Sequence, residues 1–95
     1  MADIFVGQTL LTIKLDTELD LSTATALAIM YEKPDGTEGE FVGTIDDTTK
    51  IKYDVSSVND LDVEGDWKFQ AKATFATGIG YGDTVVYPVK DLRAL

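Results

Sequence analysis

The chain has 95 residues, 8 basic against 17 acidic ones, and a net charge of −9. Hydrophobic residues at 44% and charged residues at 26% are near globular averages, so one folded domain over residues 1–95 is expected and a disordered tail is excluded. With no cysteine and no histidine, disulfides, thiol nucleophiles, Cys/His zinc sites and histidine acid–base chemistry are all ruled out.

The elements alternate with period two and are separated by turn residues at short intervals, the pattern of a small all-β sandwich or barrel. Ile4 to Val6 is a short apolar start closed by Gly7. Leu10 to Leu15 follows, with Leu11, Ile13 and Leu15 on one face. Residues 16–23 read as a polar loop. Thr25 to Lys33 is the next strand, with Leu27, Ile29 and Tyr31 alternating against Ala28, Met30 and Glu32. Lys33-Pro34-Asp35-Gly36-Thr37 is the clearest turn in the chain: proline pre-sets the first corner, aspartate bonds its own backbone, and glycine takes the left-handed position.

Phe41 to Ile45 returns as one strand, and Asp46-Asp47-Thr48-Thr49 is a second tight turn. Lys50 to Val55 points Ile51, Tyr53 and Val55 inward. Ser56 to Gly65 is an acidic crossing loop. Asp66 to Ala76 is the longest and most regular strand, with Trp67, Phe69, Ala71, Ala73 and Phe75 on one face. Thr77-Gly78-Ile79-Gly80 is expected to turn the chain into a last strand, Tyr81 to Val89. Pro88 in that strand suggests an edge position, because proline donates no ladder bond. Residues 91–95 are a tail without assignment. About seven strands result, at the spacing of an immunoglobulin-like antiparallel β-sandwich.

The charge is uneven. Residues 1–47 hold ten acids and two bases, and residues 48–95 hold seven acids and six bases. The net field repels nucleic acid and anionic lipid at long range, so neither is expected as a partner. No apolar run approaches the ~18–20 residues of a membrane helix. Met1-Ala2-Asp3-Ile4 carries no basic region, so no signal peptide is expected.

Several motifs carry two readings. In Asp60-Leu61-Asp62-Val63-Glu64-Gly65-Asp66-Trp67, an aromatic two residues after a glycine opens a strand, and its indole N–H is expected to bond back to the loop. The same segment spaces Asp60, Asp62, Glu64 and Gly65 as a calcium loop does, but Ala71 stands where the bidentate glutamate belongs, so no metal is expected. The acidic pairs Asp46/Asp47 and Glu38/Glu40 read as solvated turn residues rather than a glycosidase dyad. Gly78-x-Gly80-x-Gly82 is followed by no helix and reads as a hairpin rather than a phosphate loop. Most aromatics fall on the core face; Tyr81, beside glycines, is the best candidate for an exposed stacking group. Ala28, Met30, Val42 and Val86 lie opposite the core faces and could form one apolar patch.

Asp20-Leu21-Ser22-Thr23-Ala24-Thr25, then Lys33-Pro34-Asp35-Gly36-Thr37, then Asp60-Leu61 with Gly65-Asp66-Trp67 form an ordered set. It resembles the N-terminal domain of phage baseplate upper proteins and related small immunoglobulin-like virion proteins, from about Gly7 to Val89. The resemblance implies a non-catalytic structural module of a tail, baseplate or capsid, without cofactor, assembled in the host cytoplasm and located in the virion. Its partners would be other virion proteins or further copies of itself, met through a strand edge or through the surface around Met30 and Tyr81. A small carbohydrate- or protein-binding module with Tyr81 as stacking group is the alternative.

Overall fold

Sequence alternation becomes alternating burial. In a computed structural model of the chain, residues 4–57 and 59–91 are described, and all regular structure among them is β. The strands are β1 (Ile4–Phe5), β2 (Leu11–Asp16), β3 (Ala26–Glu32), β4 (Glu38–Val42), β5 (Thr44–Asp47), β6 (Lys50–Val55), β7 (Gly65–Phe75), β8 (Gly78–Tyr81) and β9 (Val85–Lys90). Along β7, Trp67, Phe69, Ala71 and Ala73 are buried, while Gln70, Lys72 and Thr74 are only partly covered and Lys68 is exposed.

Two sheets form. The larger runs β1-β9-β7-β3-β4, with β8 also paired to β7; the smaller runs β2-β6-β5. Every pairing is antiparallel except β1 on β9, which is parallel and so corrects the expectation of a wholly antiparallel sandwich.

The strand expected over Phe41–Ile45 is split. Gly43 separates β4 of the larger sheet from β5 of the smaller one. Its N–H still donates to the Leu27 carbonyl of the larger sheet at 3.0 Å, while the place of a Cβ is already filled by the Ile51 side chain of the smaller one. Glycine permits this close approach, and the chain changes sheets there. Ile45, which alternation puts on the same face as Phe41, lies beyond the change on a four-residue edge strand and is half exposed.

The expected turn over residues 77–80 is instead β8. Phe75 pairs with Gly78, so the turn itself is Ala76-Thr77. Pairing with β7 then runs from Lys72↔Tyr81 to Phe69↔Val85. Two residues of β7 lie between those pairs, against Gly82, Asp83 and Thr84 on the facing side, so one residue is extra and forms a β-bulge. The Gly82 N–H donates to the Ala71 carbonyl at 3.0 Å, and the Gln70 side-chain amide donates to the Gly82 carbonyl at 2.9 Å. A single last strand from Tyr81 to Val89 is therefore not what forms.

Pro88 is not on the edge strand expected for it, since β9 runs between β1 and β7. The Val6 N–H donates to the Lys90 carbonyl, so even-numbered backbone groups of β9 face away from β7. The Pro88 nitrogen thus points outward, just short of the two residues that β1 covers. Of the expected tail, only Asp91 is among the described residues, and the reading of Met1-Ala2-Asp3 lies outside them.

The core lies between the sheets. Ile29, Trp67, Phe69, Ala71 and Ala73 meet Ile13, Leu15, Ile51 and Val55, and Leu21 and Leu61 close it from the loops. At one end it is aromatic: Phe41 and Tyr53 stack across the sheets at 4.4 Å, and Tyr31 sits 4.7 Å from Phe41 and 5.5 Å from Trp67. The buried Thr17 hydroxyl donates to the Thr49 carbonyl at 2.7 Å and satisfies itself at the other end.

Candidate functional site

The acidic corner before β7 serves the fold. The Trp67 indole N–H donates to the Val63 carbonyl at 2.7 Å, as its position after Gly65 implied. The Asp60 carboxylate accepts from the Tyr53 hydroxyl at 2.7 Å and from the Ser56 and Ser57 amides at 3.2 Å each. Burial, with the Asp60 carboxylate second, raises the Tyr53 phenol above its ordinary pKa. The Asp62 carboxylate takes the Lys33 ammonium at 2.8 Å and raises that lysine's pKa. Lys33 also lies 5.6 Å from the centroid of the Trp67 ring. The calcium-like spacing of Asp60 and Asp62 therefore sends the two carboxylates to separate partners. Among the described residues, no three metal-ligating side chains converge.

The other acidic candidates also work locally. Asp46 pairs with Lys14 at 3.6 Å, and Asp47 accepts from the Thr48 amide at 2.7 Å. Asp16, Asp20 and Asp35 are held below the usual carboxylate range, first by the amides of Glu18, Ser22 and Thr37 respectively. These are turn caps spread along the chain, not a cluster in a cleft.

The remaining surface is the outer face of the larger sheet. Register builds it row by row. Tyr81, Lys72, Ala28 and Val42 stand side by side across β8, β7, β3 and β4. The next row toward the turn at 76–77 is Ile79, Thr74 and Ala26. On the other side come Gln70, Met30 and Glu40, then Val86, Lys68, Glu32 and Glu38. Val42 is 81% exposed, Tyr81 and Ile79 are 53% exposed, and Val86 is 50% exposed. Two ion pairs cross this face, Lys72 to Glu40 at 3.4 Å and Lys68 to Glu32 at 3.6 Å. Val42, Ala28, Tyr81 and Ile79 form one apolar area around the stem of Lys72. Val86 stands apart, behind Lys68.

Met30 and Tyr81 both lie on this face but differ in exposure. Tyr81 is open, the one exposed aromatic among the described residues. Met30 is half covered and forms the floor of a shallow groove of about 570 Å³ between Glu40, Gln70, Glu32 and Lys68. Its long neighbours in register shield it, which alternation alone does not reveal. A second groove of about 630 Å³ runs beside it over Ala26, Ala28, Val42 and Lys72. Ile79 was missed, because the glycines on either side mark a turn more strongly than one alternating apolar residue marks a strand.

An apolar area around the stem of one ion-paired lysine can bury area against another macromolecule. No family model matches the chain, and comparisons with curated proteins and with solved structures gave no match.

Proposed function

We propose that this protein is a non-catalytic assembly module of a phage particle, an immunoglobulin-like β-sandwich that meets neighbouring virion proteins through the outer face of its larger sheet. The observation that carries the reading is the Val42–Ala28–Lys72–Tyr81 row with Ile79 beside it, in which Val42, Tyr81 and Ile79 are exposed around the half-covered Ala28 and Lys72. The sheet orders support the finer fold assignment. β1 runs parallel to the last strand and antiparallel strands follow, while β2, β6 and β5 make the opposing layer, an arrangement compatible with immunoglobulin topology.

The place in a phage particle rests on the resemblance of the Asp20–Thr25, Lys33–Thr37 and Asp60–Trp67 segments. Mass spectrometry of purified particles from a phage or prophage carrying this gene tests it. Stoichiometric presence of the chain is expected, and its absence from intact particles sinks the reading. The carbohydrate-binding alternative draws on the open Tyr81 ring. Glycan binding that Tyr81→Ala abolishes, without particle incorporation, would favour it instead.

A further inference from the structure

The four long edges of the two sheets are not equally guarded. β4 presents Glu38 and Glu40, which would face like charges on a second copy. β5 is four residues long and bulged between Ile45 and Asp47. The β8–β9 edge carries Gly78, Gly80, the bulge at residues 82–84 and Pro88. β2 has six residues in unbroken register with β6 and contains no glycine, proline or bulge. Edges of that kind are templates for another strand.

The direction of its backbone groups follows from the ladder. The Thr17 N–H donates to the Thr49 carbonyl at 2.8 Å, continuing the register in which Leu15 opposes Ile51. Leu11, Ile13 and Leu15 therefore bond to β6, and Thr12, Lys14 and Asp16 turn their N–H and C=O groups outward. A Cβ on Gly82 would lie 3.3 Å from the Asp16 carbonyl, so Gly82 stands against that end, while among the described strands none pairs with the outer side of β2. Just before it, Leu10 is fully exposed.

We infer that β2 is a strand-addition edge whose occupant is β2 of a second copy, antiparallel about a twofold axis at Ile13, with Thr12 of each copy opposite Lys14 of the other. Gly82 beside the Asp16 carbonyl disfavours the register that would set Lys14 against Asp16, and charge favours this one over a Lys14-on-Lys14 pairing. Thr12 stands beside Asp54, whose carboxylate accepts the Thr12 hydroxyl at 2.7 Å, and Lys14 stands beside Lys52. Each joined row then reads Lys52, Lys14, Thr12, Asp54, with the cations of one copy running toward the carboxylate of the other. A shift that set Lys14 against Lys14 would align four lysines. The inner face of the joined sheet would pair Leu11 with Leu15.

This deepens the assembly reading at a different surface. The chain has no cysteine, so introduced ones are unique. Opposed residues in a hydrogen-bonded pair have Cα atoms about 5.5 Å apart, within disulfide reach. A mixture of Thr12→Cys and Lys14→Cys proteins is expected to cross-link to a dimer on oxidation, and neither variant alone is. In sedimentation velocity the parent is expected to dimerise with rising concentration, and Lys14→Pro, which removes an outward N–H but no bond to β6, to weaken this by at least about tenfold. Lys14→Ala keeps that donor and retains dimerisation. A parent that stays monomeric at its solubility limit, a Lys14→Pro dimer of unchanged affinity, or a cross-link from Lys14→Cys alone overturns the inference. Dimerisation that survives Val42→Lys while particle incorporation is lost separates this edge from the outer face.

Discussion

The two faces of the larger sheet come from the same strands, residue by residue, yet they carry opposite burdens. Phe41 and Val42 are neighbours on β4; one is 8% exposed, the other 81%. On β7, Trp67 is sealed between the layers with its N–H satisfied, and Lys68 beside it reaches an exposed ion pair. The inner face is set by packing, where a change of volume is felt at once. The outer face is nearly free of that constraint, so an apolar row there costs solubility without adding to the core. The difference locates the surface on which the proposed assembly role would draw.

The largest expected effect lies inside. Trp67→Ala should cost about 3–5 kcal/mol, the range for a large buried aromatic, against a total of roughly 5–10 kcal/mol for a domain of this size. Urea unfolding followed by circular dichroism measures it, and Trp67→Phe should cost less, because most of the buried volume is kept. Red-shifted, water-like tryptophan emission from the parent would mean that the faces are assigned backwards.

Tyr53→Phe is expected to cost about 1–2 kcal/mol, since the Asp60 carboxylate loses its hydroxyl donor and keeps the two serine amides. Its unfolding midpoint in urea should fall measurably below the parent's; an unchanged midpoint would place the corner outside the cooperative fold.

Acid sharpens the contrast further. A carboxyl whose pKa falls on folding stabilises above its unfolded value near ~3.9 and loses that contribution as pH drops through the folded value. Asp16, Asp20 and Asp35 all shift that way. Asp35→Asn, which can still accept from Thr37, should therefore lose stability less steeply than the parent below about pH 4, and the two curves should run parallel above it. A steeper decline in the variant would refute the capping role. Smallest of all, Lys68→Ala should change stability by less than about 0.5 kcal/mol, because its partner Glu32 and its own head are both exposed.

Much of the inner face was legible because β7 states it five times over, from Trp67 to Phe75, with a polar residue between each pair. The bond from Trp67 to its preceding loop was legible from Gly65 and the donor-only indole. The change of sheet at Gly43 was not. Alternation continues through Phe41, Gly43 and Ile45, and only the approach of Ile51, distant in sequence, makes the glycine a corner. β8 was hidden by its glycines, of which Gly80 lies against the tip of the Leu19 side chain. Of the candidate surface, Tyr81 and Val42 were readable as outward positions. Met30 was read as outward too, but its cover by Glu40 and Gln70 is a property of cross-strand register, which no single strand records.

The division of labour between the faces is tested most directly by one variant measured twice. Val42→Lys places a charge at the most exposed position of the outer row and leaves Phe41 in place. In one preparation, its urea midpoint and its incorporation into purified particles are compared with the parent's. The expected result is a stability within about 0.5 kcal/mol of the parent together with loss of incorporation. Incorporation at the parental level, or a loss explained by a fold destabilised by several kcal/mol in the range of core substitutions, would contradict it.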